Sequence, residues 1–197
     1  MARLVLATCN AGKLKEFRAL CVDTALEIIP QTDFSFEEAK EDGLSFVENA
    51  IIKARHAAKR TGLPALADDS GLAVDALKGA PGIYSARYAG SKATDASNRE
   101  MLLKELQGET ERTARFHCVL VYMANADDPC PIIVSGVWEG WIAEQSSGED
   151  GFGYDPLFFV PIENCTAAEL SAERKNSLSH RGKALRHFQE HHLASIG

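Results

Sequence analysis

The sequence predicts an α/β protein with a mixed sheet, bent into two lobes around a cleft. Strand-like and helix-like segments alternate from residue 3 to residue 106, which is the signature of helices packed on a partly parallel sheet. Two long β-rich runs then follow, Ala114–Ala124 and Pro131–Glu144, separated by the polar segment Ala126-Asp127-Asp128-Pro129. That arrangement reads as an antiparallel hairpin. The 197 residues are 45% hydrophobic and 25% charged, with no repeats, low-complexity tracts or linkers, so the chain 1–197 reads as one domain.

Arg3–Thr8 is apolar and bounded by a turn at Cys9–Gly12, which makes it the first strand. Lys13–Val22 reads as a helix, with Leu14, Phe17, Leu20 and Cys21 on one face. Leu26–Pro30 is a short second strand, and Gln31–Gly43 is an acidic loop. Ser45-Phe46-Val47-Glu48 is a capping box, and its helix stops at Gly62, with Pro64 just beyond. Leu63–Ala67 and Leu72–Leu77 read as two strands around a turn at Asp68-Asp69-Ser70-Gly71. Lys78–Gly90 is a glycine-rich loop, and Thr94–Leu106 a helix capped by Thr94 or Asp95. After the hairpin come a loop at Gln145–Gly153, a strand at Leu157–Val160 and a last helix from Ser179 to His192.

Composition narrows the function. Five cysteines with no C-x-x-C spacing argue against a disulfide framework or a cysteine zinc site. A net charge of −7 argues against nucleic-acid binding. No apolar run approaches the roughly 20 residues a membrane helix needs. The N-terminus reads as a strand rather than a signal peptide, so a cytoplasmic protein is expected. A polyanionic ligand on so acidic a protein requires local lysines or a bridging cation.

Five segments carry candidate chemistry. Thr8-Cys9-Asn10-Ala11-Gly12-Lys13 joins a strand to a helix, and helix N-terminal amides attract phosphate. It lacks the glycine and hydroxyl of a P-loop, and an ordinary turn looks much the same. Asp68-Asp69 follows the apolar Ala65-Leu66-Ala67, and a pair of carboxylates there suits magnesium or a general base. Asn49 and Lys53 share a face of the capped helix, and Glu38 and Glu41 lie upstream as further acidic ligands. Gly151-Phe152-Gly153-Tyr154-Asp155-Pro156 can present a flat ring to a flat ligand. Finally, Lys175 leads into Ser179-His180-Arg181, where two cationic side chains fall in the first turn of a helix. The helix dipole disfavours cations there, so a negatively polarised partner is expected. His187 and His191, four apart, read as an exposed polar face rather than a zinc pair.

Together these segments supply an acidic pair, three lysines, an aromatic plane and a donor-rich corner, the parts needed to hold a nucleoside triphosphate with a divalent cation. Read as motifs, they are Ala7-Thr8-Cys9-Asn10-Ala11-Gly12-Lys13, Phe46-Val47-Glu48-Asn49-Ala50-Ile51-Ile52-Lys53-Ala54, Ala67-Asp68-Asp69-Ser70-Gly71-Leu72, Gly79-Ala80-Pro81-Gly82-Ile83-Tyr84-Ser85-Ala86-Arg87-Tyr88, Gly151-Phe152-Gly153-Tyr154-Asp155-Pro156 and Ser179-His180-Arg181-Gly182. In this order the chain resembles the inosine triphosphate pyrophosphatase family, whose members remove ITP, dITP and XTP. Cys9 stands where that family commonly has glycine.

The resemblance implies a homodimer of elongated α/β subunits, with the triphosphate in a cleft between two lobes and cleavage between the α- and β-phosphates. It implies Mg2+ held by Asp69 and Glu41, and proton acceptance by Asp69 or Asp68. Thr8, Cys9, Asn10, Ala11, Gly12 and Lys13 become the phosphate loop. Lys53, Ser70 and Lys175 become substrate contacts, and Phe152, Gly153, Tyr154, Asp155, His180 and Arg181 the base pocket.

Overall fold

The computed structural model describes residues 2–21 and 26–192. Seven strands form one sheet in the order β2-β1-β3-β4-β5-β6-β7. They are β1 (Ala2–Leu6), β2 (Leu26–Pro30), β3 (Ala65–Val74), β4 (Thr113–Met123), β5 (Ile132–Ile142), β6 (Phe158–Val160) and β7 (Cys165–Thr166). β1 lies parallel to both β2 and β3, whereas β5-β6-β7 is antiparallel, so the sheet is mixed as expected. Among the described residues, no helix is long and apolar enough to cross a membrane.

The chain folds as two compact units. The first comprises 1–69, 118–136 and 181–197, and the second 70–117 and 137–180. In the first, strand alternation sorts side chains into two layers, because successive residues of a strand point to opposite faces. Leu4, Leu6, Leu66, Cys118 and Leu120 share one core with Phe17 of α1 (Ala11–Leu20) and with Ala184, Leu185 and Phe188 of α5 (His180–His192). Val5, Ala7, Ala65, Ala67, Val121 and Met123 share the other with Ala50, Ala54, Ala57 and Ala58 of α2 (Phe46–Thr61). Strands covered on both faces read as continuous apolar runs, as Leu4-Val5-Leu6-Ala7 does. The alanine stripe of α2 lets its backbone lie close to the sheet. α2 begins at the Ser45 cap and ends at Gly62, whose φ of 69° is the left-handed conformation glycine adopts without strain.

The second unit packs Leu72, Val74, Leu102, Leu106, Phe116, Trp138, Tyr154 and Phe158 into one core. Leu102 belongs to α3 (Asp95–Glu105), which Thr94 caps in a reciprocal box with Ser97. The aromatic rings lie in contact, with Phe116 and Phe158 centroids 4.6 Å apart.

The main departure from the sequence reading is at Asp68-Asp69-Ser70-Gly71. No turn forms there, and β3 runs unbroken from Ala65 to Val74. The turn preference of Asp, Ser and Gly is local, and strand pairing within the sheet overrides it here. Here cationic side chains meet the two carboxylates, and the strand continues. The first helix starts at Ala11 rather than Lys13, because Asn10 caps it, and Val22 lies outside the described residues. β1 ends at Leu6, two residues early. β7 and the short α4 (Ala172–Leu178) were not predicted, since both are too short for their periodicity to register. Ser179 closes α4 by donating its N–H to the Lys175 carbonyl, and α5 starts directly after it.

Candidate active site

Because β3 is a strand, its adjacent carboxylates face opposite sides of the sheet. Asp68 follows the parity of Leu66, toward α1 and α5, and Asp69 that of Ala65 and Ala67, toward α2. Their partners follow. Asp68 Oδ2 accepts from Arg181 Nε and Nη2, both at 3.2 Å, and lies 3.0 Å from Lys13 Nζ. Asp69 Oδ1 accepts from Lys53 Nζ at 2.7 Å, and the same ammonium lies 3.5 Å from Glu41 Oε1. Arg181 also pairs with Glu16 of α1.

The two carboxylates are electrostatically unlike. Burial by itself would raise the pKa of Asp68, but Lys13, Arg181 and Lys53 outweigh it and hold the group well below the usual carboxylate range. At Asp69 burial prevails over Lys53, and its pKa is raised. Burial would lower the pKa of Lys53, but Asp69, Asp68 and Glu41 outweigh it and keep the ammonium charged. Asp68 is thus a fixed anion inside a cationic clamp, whereas Asp69 is the better proton acceptor. Among the described residues, Asp69 Oδ2 is buried and meets no hydrogen-bond partner. An orphaned carboxylate oxygen beside Glu41 suits a hard cation. No group of three or more His, Cys, Asp or Glu forms a metal cluster among the described residues, but magnesium commonly takes one or two carboxylates and fills its shell with water and phosphate.

The phosphate-loop candidate is ordered by its own side chains. Thr8 Oγ1 accepts from the Asn10 N–H at 3.1 Å, and Asn10 Oδ1 accepts from the Lys13 N–H at 2.9 Å. The opening amides of α1, at Ala11 and Gly12, lie in the first turn and have no intrahelical acceptor. Gln31 Nε2 donates to Cys9 Sγ at 3.3 Å, and burial together with Glu38 pushes the thiol's pKa up. A thiol held protonated is a poor nucleophile.

The second unit holds the remaining candidates. Asp155 Oδ2 accepts from the Phe152 N–H at 2.8 Å and from Lys175 Nζ at 2.7 Å. That ammonium also sits 4.9 Å from the centroid of the Phe152 ring. The Tyr154 hydroxyl donates to the Ser85 carbonyl at 2.9 Å. Ser70 is half-buried in β3. His180 stacks on Phe116 with centroids 4.8 Å apart and an interplanar angle of 13°.

A family model described as the Ham1 family matches residues 4–191. The chain belongs to the Ham1 family. A relative from Vibrio parahaemolyticus serotype O3:K6, named dITP/XTP pyrophosphatase, is 60% identical over 188 residues, covering 94% of each chain. A HAM1 protein from Coxiella burnetii has a solved structure that superimposes with a TM-score of 0.90 at 53% identity, covering 96% of this chain and 98% of that one. The Staphylococcus aureus Ham1 protein gives a TM-score of 0.84 at 41% identity, covering 95% and 96%.

In this Ham1 chain nine of the predicted residues gather as three sets. Lys13, Asp68 and Arg181 form one ion-pair cluster, Glu41, Lys53 and Asp69 a second on the other face of β3, and Phe152, Asp155 and Lys175 a third. Glu16, Asp95 and Arg99 were missed. Asp95 accepts from the Gly153 N–H at 2.7 Å and Arg99 donates to the Gly153 carbonyl at 2.7 Å, so α3 holds the aromatic loop by its backbone. Their i, i+4 spacing is their only sequence signal, and it is common on exposed helices.

Gly151 has a φ of 82°, and a Cβ there would strike the Asp155 carboxylate. Gly151→Ala should therefore push Asp155 off both Lys175 and the Phe152 amide. We expect a nucleotide KM raised by about tenfold with a smaller change in kcat, the pattern of lost ground-state binding. Steady-state kinetics check it, and an unchanged KM would detach this loop from the substrate.

Proposed function

We propose that this chain hydrolyses the non-standard purine nucleoside triphosphates dITP, XTP and ITP to the monophosphate and pyrophosphate. The observation that carries the reading is the division of Asp68 and Asp69 between opposite faces of β3. One carboxylate is clamped by Lys13 and Arg181, while the other sits with Lys53 and a further carboxylate, Glu41. Two carboxylates sharing one ammonium suit a hard cation as their additional partner. The names of the relatives support the substrate class.

Asp69 and Glu41 are the residues that would hold magnesium, which when bound neutralises phosphate charge and makes water more acidic. Asp69 takes the proton from the water that attacks the α-phosphorus. Asp68 serves as the anion that orients Lys13 and Arg181. The loop from Thr8 to Gly12 binds phosphate oxygens through its amides, Lys13 and Lys53 stabilise charge on the departing pyrophosphate, and Lys175, paired with Asp155 beside Phe152, contacts the substrate on the base side. Ser70 adds a hydroxyl contact. Phe152, set by Gly153, Tyr154 and Asp155, stacks on the purine. His180 and Arg181 donate to its 6-oxo oxygen, and Arg181 also braces Asp68. Adenine carries an amino donor at that position, and such a mismatch can yield roughly 10⁴-fold discrimination. Family resemblance further supports a cytoplasmic homodimer.

Phosphorus NMR of ITP turnover tests the reaction. Inosine monophosphate with pyrophosphate, formed only when magnesium is present, is the expected outcome, and inosine diphosphate with orthophosphate would overturn it. His180→Ala should narrow the ITP-to-ATP ratio of kcat/KM by about tenfold or more. A substrate panel in which that ratio does not move removes His180 from base recognition.

A further inference from the structure

One stripe of α2 carries three polar residues, Asn49, Lys53 and His56, at i, i+4 and i+7. Residues at that spacing share a helix face. Each grips the acidic loop at a different point. His56 Nε2–H donates to the Glu37 carbonyl at 2.7 Å, and Lys53 Nζ meets Glu41 at 3.5 Å. Asn49 Oδ1 accepts from the Gly43 N–H at 2.9 Å. The loop therefore runs antiparallel along the stripe, residue 37 at its far end and residue 43 at its start. The grip at Gly43 is close: a Cβ there would meet the Asn49 Oδ1 and the Glu48 Cβ at under 3.0 Å, so glycine lets the backbone reach the amide.

Asn49 is fully buried, and its Nδ2 meets no acceptor among the described residues. The amide cannot turn over to mend this, because Gly43 requires an oxygen. A buried, unmet donor is destabilising, because it has lost water without gaining an acceptor. Natural sequences tolerate such a cost mainly at functional sites.

We propose that Asn49 and His56 are positioning residues that bracket Lys53 and fix Glu41 beside Asp69, so that the two carboxylates are set for one cation before it arrives. The inference rests on the reading of Glu41 and Asp69 as a magnesium site.

The test is calorimetric titration of magnesium into the full chain saturated with a non-hydrolysable α,β-methylene analogue of ITP. Asn49→Ala and His56→Ala should each weaken magnesium binding by about tenfold, as loss of groups orienting metal ligands commonly does. Gly43→Ala, which attacks the same grip from the other side, should do likewise. Analogue binding without magnesium should stay within about twofold of wild type. Asn49→Ala combined with Glu41→Gln should bind magnesium no worse than Glu41→Gln alone, because one loss acts through the other. Lys59→Ala, exposed elsewhere on α2, should bind as wild type. Wild-type magnesium affinity in Asn49→Ala and His56→Ala, or full additivity with Glu41→Gln, overturns the inference alone. A wild-type chain that binds no magnesium overturns it together with the metal-site reading.

Discussion

Replacing Asp69 by asparagine should lower kcat by about 10³-fold or more while leaving much of the nucleotide affinity. The substitution keeps shape and one hydrogen-bond acceptor but removes the negative charge. Two losses then coincide: a general base, worth typically 10²–10⁴ in rate, and a carboxylate ligand for the cation. Lys53 would lose its nearest anion and turn toward Glu41, since 2.7 Å separates it from Asp69 and 3.5 Å from Glu41. Asp68→Asn should behave differently. Asp68 is held as an anion between Lys13 and Arg181, so its removal should hurt stability and the placement of both cations before it hurts proton transfer. Single-turnover rates with thermal melting separate the two variants. Near-normal kcat in Asp69→Asn would sink the assignment of that residue as the base.

Arg181→Met should lower stability by about 3–5 kcal/mol, the usual cost of breaking a buried ion pair from one side. The guanidinium is 2% exposed and its partner Asp68 1%, so solvent screens neither. For a chain of this size that corresponds to a fall in Tm of roughly 10 °C. The double variant Asp68→Asn/Arg181→Met should recover part of the loss, because the stranded charge is gone. Arg115 gives the comparison. It also pairs with two carboxylates, Asp75 and Glu139, but in an exposed network, and Arg115→Met should barely shift Tm. Equal shifts for Arg115 and Arg181 would show that burial does not set the worth of these pairs.

The first strand, the capped helix α2 and the β-rich hairpin follow from local patterns: an apolar run, a Ser-x-x-Glu box and long stretches of β-formers. The anomaly at His180-Arg181 was also visible, since cations at a helix start demand an anionic partner. The partner was not visible. It is Asp68, 113 residues away, and no local rule pairs residues across that distance. Likewise α3 holds Gly153 through Asp95 and Arg99, whose spacing alone resembles any solvated helix face.

The sequence by itself determined the fold class, the family resemblance and the residue types of the site, because periodicity, capping and motif order are local properties. Only the tertiary structure decided which side chains Asp68 and Asp69 each meet. Pairing in a sheet covered by helices on both faces held β3 straight, and the pleat sent Asp68 to Lys13 and Arg181, and Asp69 to Lys53 and Glu41. The separation of their partners comes from that alternation, a consequence of strand pairing that no dipeptide encodes.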